Sequence, residues 1–236
     1  MAQYILHKAD SRGDANHGWL HSKHTFSFAG YFDQSRMNFG ALRVLNDDYV
    51  AAGMGFGKHP HNDMEIISIP LEGELAHNDS MGTGSVIKKG DIQVMSAGTG
   101  IQHSEYNHSE ENPVKFLQIW IIPNKQNVQP RYDQISIDID KSKNNFLQIL
   151  SPNENDEGVW IYQNAWIHLA NFEEGFEKVY DIKSKGNGVY EFVLSGKIDV
   201  DGNQLSDRDG LGVKDVDQIK IKANSKAEFL LIEVPV

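Results

Sequence analysis

Between Met64 and Pro123 the chain reads as short runs of apolar and β-branched residues, each stopped by glycine or another turn former. The run "MEIISIPLEGEL" closes on Glu72-Gly73, "SVIKKGDIQVMSAG" carries strand-like segments on both sides of Gly90-Asp91, and "VKFLQIWIIP" is an almost unbroken apolar stretch of the buried type. An amphipathic helix needs an apolar stripe sustained at a period near 3.6, and none of useful length is present here. Short strands at regular spacing with glycine-rich turns predict an all-β chain of jelly-roll-type barrels or sandwiches.

One segment bordering these strands, "FGKHPHNDMEII" from Phe56 to Ile67, puts two histidines either side of a proline. In an extended chain residues i and i+2 project from one face, so His59 and His61 address one centre while Pro60 points away. Pro60 cannot donate to a sheet ladder, which predicts a strand start, an edge or a rim. The ordinary alternative is a pair of polar side chains in a solvated turn, and a chain with ten histidines makes it a fair competitor. The balance shifts at "AGTGIQHSEYNHSEE", where His103 and Glu105 repeat the i, i+2 arrangement. Two such strands joined in a sheet present His59, His61, His103 and Glu105 together. Three imidazoles and a carboxylate, without sulfur, suit Fe(II), Ni, Mn, Co, Cu or Zn and disfavour a thiolate-type structural site. Four protein donors leave an octahedral ion two open positions, which points to chemistry or ligand binding.

Composition limits the alternatives. The chain has no cysteine, so disulfide frameworks and cysteine nucleophiles are excluded and an intracellular setting is expected. The opening "MAQYILHKADSRGD" lacks the apolar core of a secretory signal, and no stretch approaches the ~20 apolar residues that span a bilayer. A cytoplasmic protein without membrane partners is the expectation. A net charge of −11 argues against autonomous nucleic-acid binding, which draws its affinity from Lys and Arg. With 236 residues the chain accommodates two small domains.

The pieces "HGWLHSKHTFSFAGYFD", "MNFGALRVLNDDYVAAGMGF", "HPHNDMEI", "LEGELAHNDSMG", "KKGDIQVMSAGTGIQHSE" and "FLQIWIIP" together resemble the pirin family of the cupin superfamily, and within it the bacterial members associated with quercetin 2,3-dioxygenase activity. They cover most of residues 17 to 123. The resemblance implies a bicupin, two jelly-roll-type β-barrel domains in one chain, with a single metal ion in the first barrel. It implies His59, His61, His103 and Glu105 as the ligands, Fe(II) first among the possible metals, and a flavonol or similar enolic aromatic substrate that is cleaved with O2. Glu105 is then the expected catalytic base. Glu65 is the next candidate base; many cupins place a carboxylate ligand near that offset from the histidine pair, but here Glu65 is expected to face the site behind the ligands, with ligation as the alternative. The family also implies an alternative, a metal-dependent regulatory protein that binds a protein partner, as a transcription cofactor or a modulator of a metabolic enzyme.

The second half echoes the first. "GNGVYEFVLSGKIDVDGNQLSDRDGLGV" and "AEFLLIEVPV" follow the order of "MEIISIPLEGELAHNDS", "KKGDIQV" and "FLQIWIIP", which reads as an internal duplication. The polar, turn-forming "NKQNVQPRYDQ" and "DKSKNN" suggest the linker, giving a metal-binding barrel over 1–130 and a barrel without ligands over 131–236. Beyond His108 only His168 remains, and it is expected as a sheet histidine. His17, His21 and His24 are spaced irregularly for one strand face and are expected in surface or packing roles. His77 is expected in the sheet and not at the metal, and His108 in solvent. Gly98 and Gly100 are followed by no helix and no G-K-[ST], so no nucleotide loop is expected. Gln118 alternates with Phe116 and Trp120 on one strand face, where core is the default for the aromatics.

Overall fold

Alternation along single strands explains the architecture, which a computed structural model describes for all residues, 1 to 236. The first half contributes β1 (Gln3–His7), β2 (Gly13–Asn16), β3 (Leu20–His24), β4 (Leu42–Val50), β5 (Gly55–His61), β6 (Glu65–Glu72), β7 (Glu74–Asp79), β8 (Gly84–Lys88), β9 (Asp91–Ser96), β10 (Ile101–Asn107), β11 (Val114–Ile121) and β12 (Arg131–Ser136). The second half contributes β13 (Phe146–Ser151), β14 (Val159–Trp160), β15 (Trp166–Phe172), β16 (Glu177–Asp181), β17 (Asn187–Ser195), β18 (Ile198–Val200), β19 (Asn203–Leu205), β20 (Gly210–Lys214), β21 (Gln218–Ala223) and β22 (Ala227–Pro235).

These strands form two units of the same design. Each has a seven-stranded sheet, in the orders β12-β9-β6-β11-β4-β3-β2 and β1-β20-β17-β22-β15-β13-β14, and a four-stranded sheet, in the orders β5-β10-β7-β8 and β16-β21-β18-β19. The matching orders bear out the duplication read from the sequence, and the jelly-roll cupin plan holds although the sheets do not close into continuous barrels.

The central strands of the seven-stranded sheets are buried on both faces, which is why β6 and β11 look almost uniformly apolar. On the outer face Ile67, Ile69, Leu117, Ile119 and Ile121 belong to the largest core cluster together with Ile149, Ile167, Phe192, Leu230 and Ile232 of the second unit. That cluster joins the two units. The inner face carries Ile66, Ser68, Phe116, Gln118 and Trp120 instead, and this face looks across to the four-stranded sheet.

Strand membership differs from the expected division at residue 130. β12 pairs along its whole length with β9 of the first unit, and β1 pairs with β20 of the second. Each unit's sheet is therefore finished by a strand adjoining or preceding the other unit, and hydrophilic composition around Arg131 marks a sheet edge. One glycine is required by this packing: Gly98 has φ +47, and a Cβ there would lie 2.0 Å from the Val128 carbonyl oxygen. Thr99 donates its backbone N–H to that same carbonyl at 2.9 Å, which ties the segment before β12 to the turn before β10.

Candidate metal centre

The four-stranded sheet of the first unit brings the histidines together. β5 lies at its edge, as Pro60 requires, and pairs with β10 so that His59 stands opposite His103. A bulge follows: Gly57 and Lys58 of β5 oppose Ser104 alone, and Glu105 comes opposite Phe56. On the other side of β10, His103 stands opposite Asp79 and Glu105 opposite His77 of β7. Cross-strand partners share a face, so this inner surface carries His59, His61, His103, Glu105, His77 and Asp79.

Three imidazoles form a close triangle. Ring centroids are 4.8 Å apart for His59 and His61, 4.5 Å for His59 and His103, and 4.8 Å for His61 and His103. The Nε2 atoms of His61 and His103 approach to 2.9 Å. His59 donates its Nδ1–H to the Gly57 carbonyl at 2.7 Å, which leaves the Nε2 lone pair free for another partner. Burial holds His61 down to about 4 and His103 down to about 2, with the neighbouring imidazoles adding repulsion. Both rings are therefore neutral near pH 7 and keep a lone pair for a cation.

Glu105, 3% exposed, is oriented from the opposite sheet. Ser68 donates its hydroxyl to Oε1 at 3.1 Å, and Gln118 donates Nε2–H to Oε2 at 2.9 Å. Burial pushes its carboxyl up to about 7, and the two hydrogen bonds offset only part of that. Its ligand atoms lie within 4.8 Å of those of His103 and His77, while His59, His61 and His103 form a separate group within the same limit; the two groups share His103. The donor set, neutral imidazoles plus one buried carboxylate converging on a common face, fits a divalent first-row ion.

Two residues enter the site that sequence reasoning placed elsewhere. His77 is in the sheet as expected, but it is also 5.3 Å from His103 and stacks at 4.8 Å on Tyr132. Its Nε2 is 3.4 Å from Asp79 Oδ2. The signal was available, since His77 and Asp79 repeat the same i, i+2 pattern. Gln118 was legible only as a strand residue, and its role comes from contact across the barrel. Phe116 is core, whereas Trp120 lies edge-on to His61 at 5.0 Å.

Glu65 must be corrected. Alternation on β6 turns Ser68 toward Glu105 and therefore sends Glu65 to the outer face. There its Oε2 accepts from Ser96 Oγ at 2.6 Å, and Arg131 lies near enough to bias its titration. The offset of four from His61 misleads because β5 ends at His61 and β6 starts at Glu65, in a different sheet. Among the other histidines, His21 pairs with Asp14 at 2.6 Å on the surface and His108 is exposed, as expected. His24 takes the packing role, buried on the inner face edge-on to Phe28, and His168 is a buried sheet residue of the second unit. In that unit β21 occupies the place of β10 and carries buried Ile219 and Ile221, so no ligand cluster forms.

Two stacked jelly-roll units with a histidine and carboxylate centre in the first alone define a bicupin. Residues 6–121 match the pirin family model, and residues 148–234 match a model described as the quercetinase C-terminal cupin domain. The chain belongs to the pirin family. It is 43% identical over 230 residues to quercetin 2,3-dioxygenase of Escherichia coli K12, covering 98% of each chain, and 42% identical to a putative quercetin 2,3-dioxygenase of Pseudomonas aeruginosa, covering 95% of this chain and 97% of that one. The crystal structure of the E. coli bacterial pirin YhhW in complex with nickel(II) superposes with a TM-score of 0.93 at 41% identity, covering 99% of both chains. No helix is long and apolar enough to cross a membrane.

Proposed function

We propose that this chain is a metal-dependent dioxygenase of the quercetin 2,3-dioxygenase type, which cleaves a flavonol or similar enolic aromatic substrate with O2. The observation that carries the reading is the convergence of the His59, His61 and His103 rings beside the buried carboxyl of Glu105, in a chain whose relatives bear that name. His59, His61, His103 and Glu105 would hold one divalent ion. Fe(II) is the first choice and Ni(II) the next, because the similar E. coli protein was crystallised with nickel; Mn, Co, Cu and Zn suit the same donors. When bound, the ion supplies a positive charge that acidifies an enolic hydroxyl and a redox centre that allows the substrate to react with O2.

The protein's own groups do the rest. Glu105, buried beside the three imidazoles, is the base placed to take the substrate's hydroxyl proton on a carboxylate oxygen. Ser68 and Gln118 fix the orientation of that carboxylate. Trp120 stands edge-on to His61 at 5.0 Å and to Phe28 at 5.3 Å, so aromatic edges border the centre. In the overall reaction the flavonol ring opens, both atoms of O2 enter the organic product, and one ring carbon leaves as carbon monoxide.

The test is anaerobic reconstitution of stripped protein with each metal, followed by O2 uptake and loss of flavonol absorbance. Turnover that depends on metal and disappears in His103→Ala supports the dioxygenase. Stoichiometric metal binding with no turnover by any metal would refute it and favour a metal-switched protein partner.

A further inference from the structure

The two units do not meet evenly across the core that joins them. Ile67, Ile167 and Phe192 are fully buried there, yet two residues further along the same strands Ile69, Leu169 and Leu194 keep 7%, 7% and 8% exposure. These three side chains end in a cavity of about 250 Å³ between the units. Its remaining walls come from both units and from Ile137 and Ile139, in the segment between β12 and β13. That segment is held in place: Ile137 donates its N–H to the Gly90 carbonyl at 2.8 Å, and Ser136 donates its hydroxyl to Asp91 Oδ1 at 2.5 Å.

The lining defines what fits. Nine of its residues are Ile or Leu and none is aromatic, so the walls offer no flat face for a ring to stack on. Protein interiors are close-packed, and a void forfeits dispersion contacts on every side chain around it. An apolar void stays dry and takes apolar guests. At the mouth Lys89, Lys115 and Arg208 stand with Glu72, Asp91 and Glu228. Lys115 donates to Glu72 at 2.6 Å, and Arg208 Nε lies 3.2 Å from Asp47 Oδ2. Three cations against three carboxylates give the mouth no net charge, so it favours neither an anionic nor a cationic head group. The cavity is separate from the metal centre, because Ile69 points outward from β6 where Ser68 points inward to Glu105.

We propose that the seam between the two units is a binding site for a small uncharged aliphatic molecule, independent of the chemistry at the histidine centre. At roughly 30 Å³ per water-sized group the cavity holds about eight carbons. The occupant supplies the contacts that Ile69, Leu169 and Leu194 lack, and each methylene it buries tightens binding about fourfold until the volume is filled.

The experiment titrates primary alcohols from butanol to decanol into the metal-loaded full chain, with Kd read by calorimetry. Affinity is expected to rise about fourfold per methylene as far as octanol and to level off beyond it. Octanoate and octylammonium should bind about tenfold more weakly than octanol, since each gives up hydration of a charge that the mouth does not match. Leu194→Phe fills the cavity and should weaken octanol about tenfold or more, as about two methylenes lose their room. Ile139→Trp fills it from the partly buried connecting segment and is the second variant should Leu194→Phe fail to fold, as judged by its thermal melt. Affinity that climbs without a break to decanol, no saturable binding of any alcohol, tighter binding of either ion, or octanol affinity unchanged in a folded, filled variant each overturns the site.

Discussion

His168 should make this protein lose stability in mild acid, and the size of the loss follows from its surroundings. It lies on β15, 3% exposed, inside the apolar core of the second unit. Its Nδ1 is 3.4 Å from the Tyr180 hydroxyl, which itself donates to Glu233 Oε2 at 2.8 Å. Burial drives the imidazole from 6.5 down to about 3, and Lys183 adds to the effect. The folded state thus refuses a proton that the unfolded state accepts. Stability from this group is complete above pH 6.5 and falls as the pH drops toward 3, at roughly 1.4 kcal/mol per pH unit. By pH 5 the loss is about 2 kcal/mol. For a chain of this length that corresponds to about 4–8 °C in Tm. His168→Leu removes the proton site and keeps an apolar shape. Melts of chelator-stripped wild type and variant at pH 8 and pH 5 should show the variant gaining about 2 kcal/mol on the wild type at the lower pH. His7, held down to about 4, titrates in both proteins and cancels. A stability difference that does not change with pH would refute the reasoning, because it would mean that His168 is protonated equally in both states.

Other outcomes follow from the same structure. Glu65→Gln should keep metal-dependent turnover within a few-fold, whereas Glu105→Gln should abolish it, and steady-state kinetics on both variants checks the assignment of faces on β6. Adding metal at about a hundred times its Kd should stabilise the stripped protein by about 2.7 kcal/mol, visible as a rise in Tm that His103→Ala lacks. Ile119→Ala, in the core that joins the units, should cost about 2–5 kcal/mol, and a single calorimetric transition shifted as a whole would show that both units unfold together. Gly98→Ala should destabilise by more than the ~1 kcal/mol typical of a glycine conformational change, since the new methyl meets the Val128 carbonyl.

Much of the centre was legible because period-two alternation is a local property. His59 with His61 and His103 with Glu105 share faces for reasons contained in five residues of chain, and Pro60 marks the edge strand by lacking an N–H. The same local rule puts His77 and Asp79 of "LAHND" on one face. Glu65 was misplaced because a four-residue offset carries no face information across a change of strand and sheet. The duplication was legible from the order of apolar runs, and the missing ligands of the second unit from His168 being the one histidine after His108.

What the sequence determined by itself was the strand content, the two clusters that face one way, and the chemistry of their donors, all of which depend on neighbouring residues. What only the tertiary structure decided was which distant residues meet those clusters. Ser68 and Gln118 reach Glu105 because two sheets lie across one interior, and Asn46, Asp48 and His24 line a cavity because β3 and β4 are in register. β1 and β12 each complete a sheet whose remaining strands lie far along the chain or beyond a loop. Such pairings are chosen by the global burial of both sheet faces, and no short stretch of sequence encodes them.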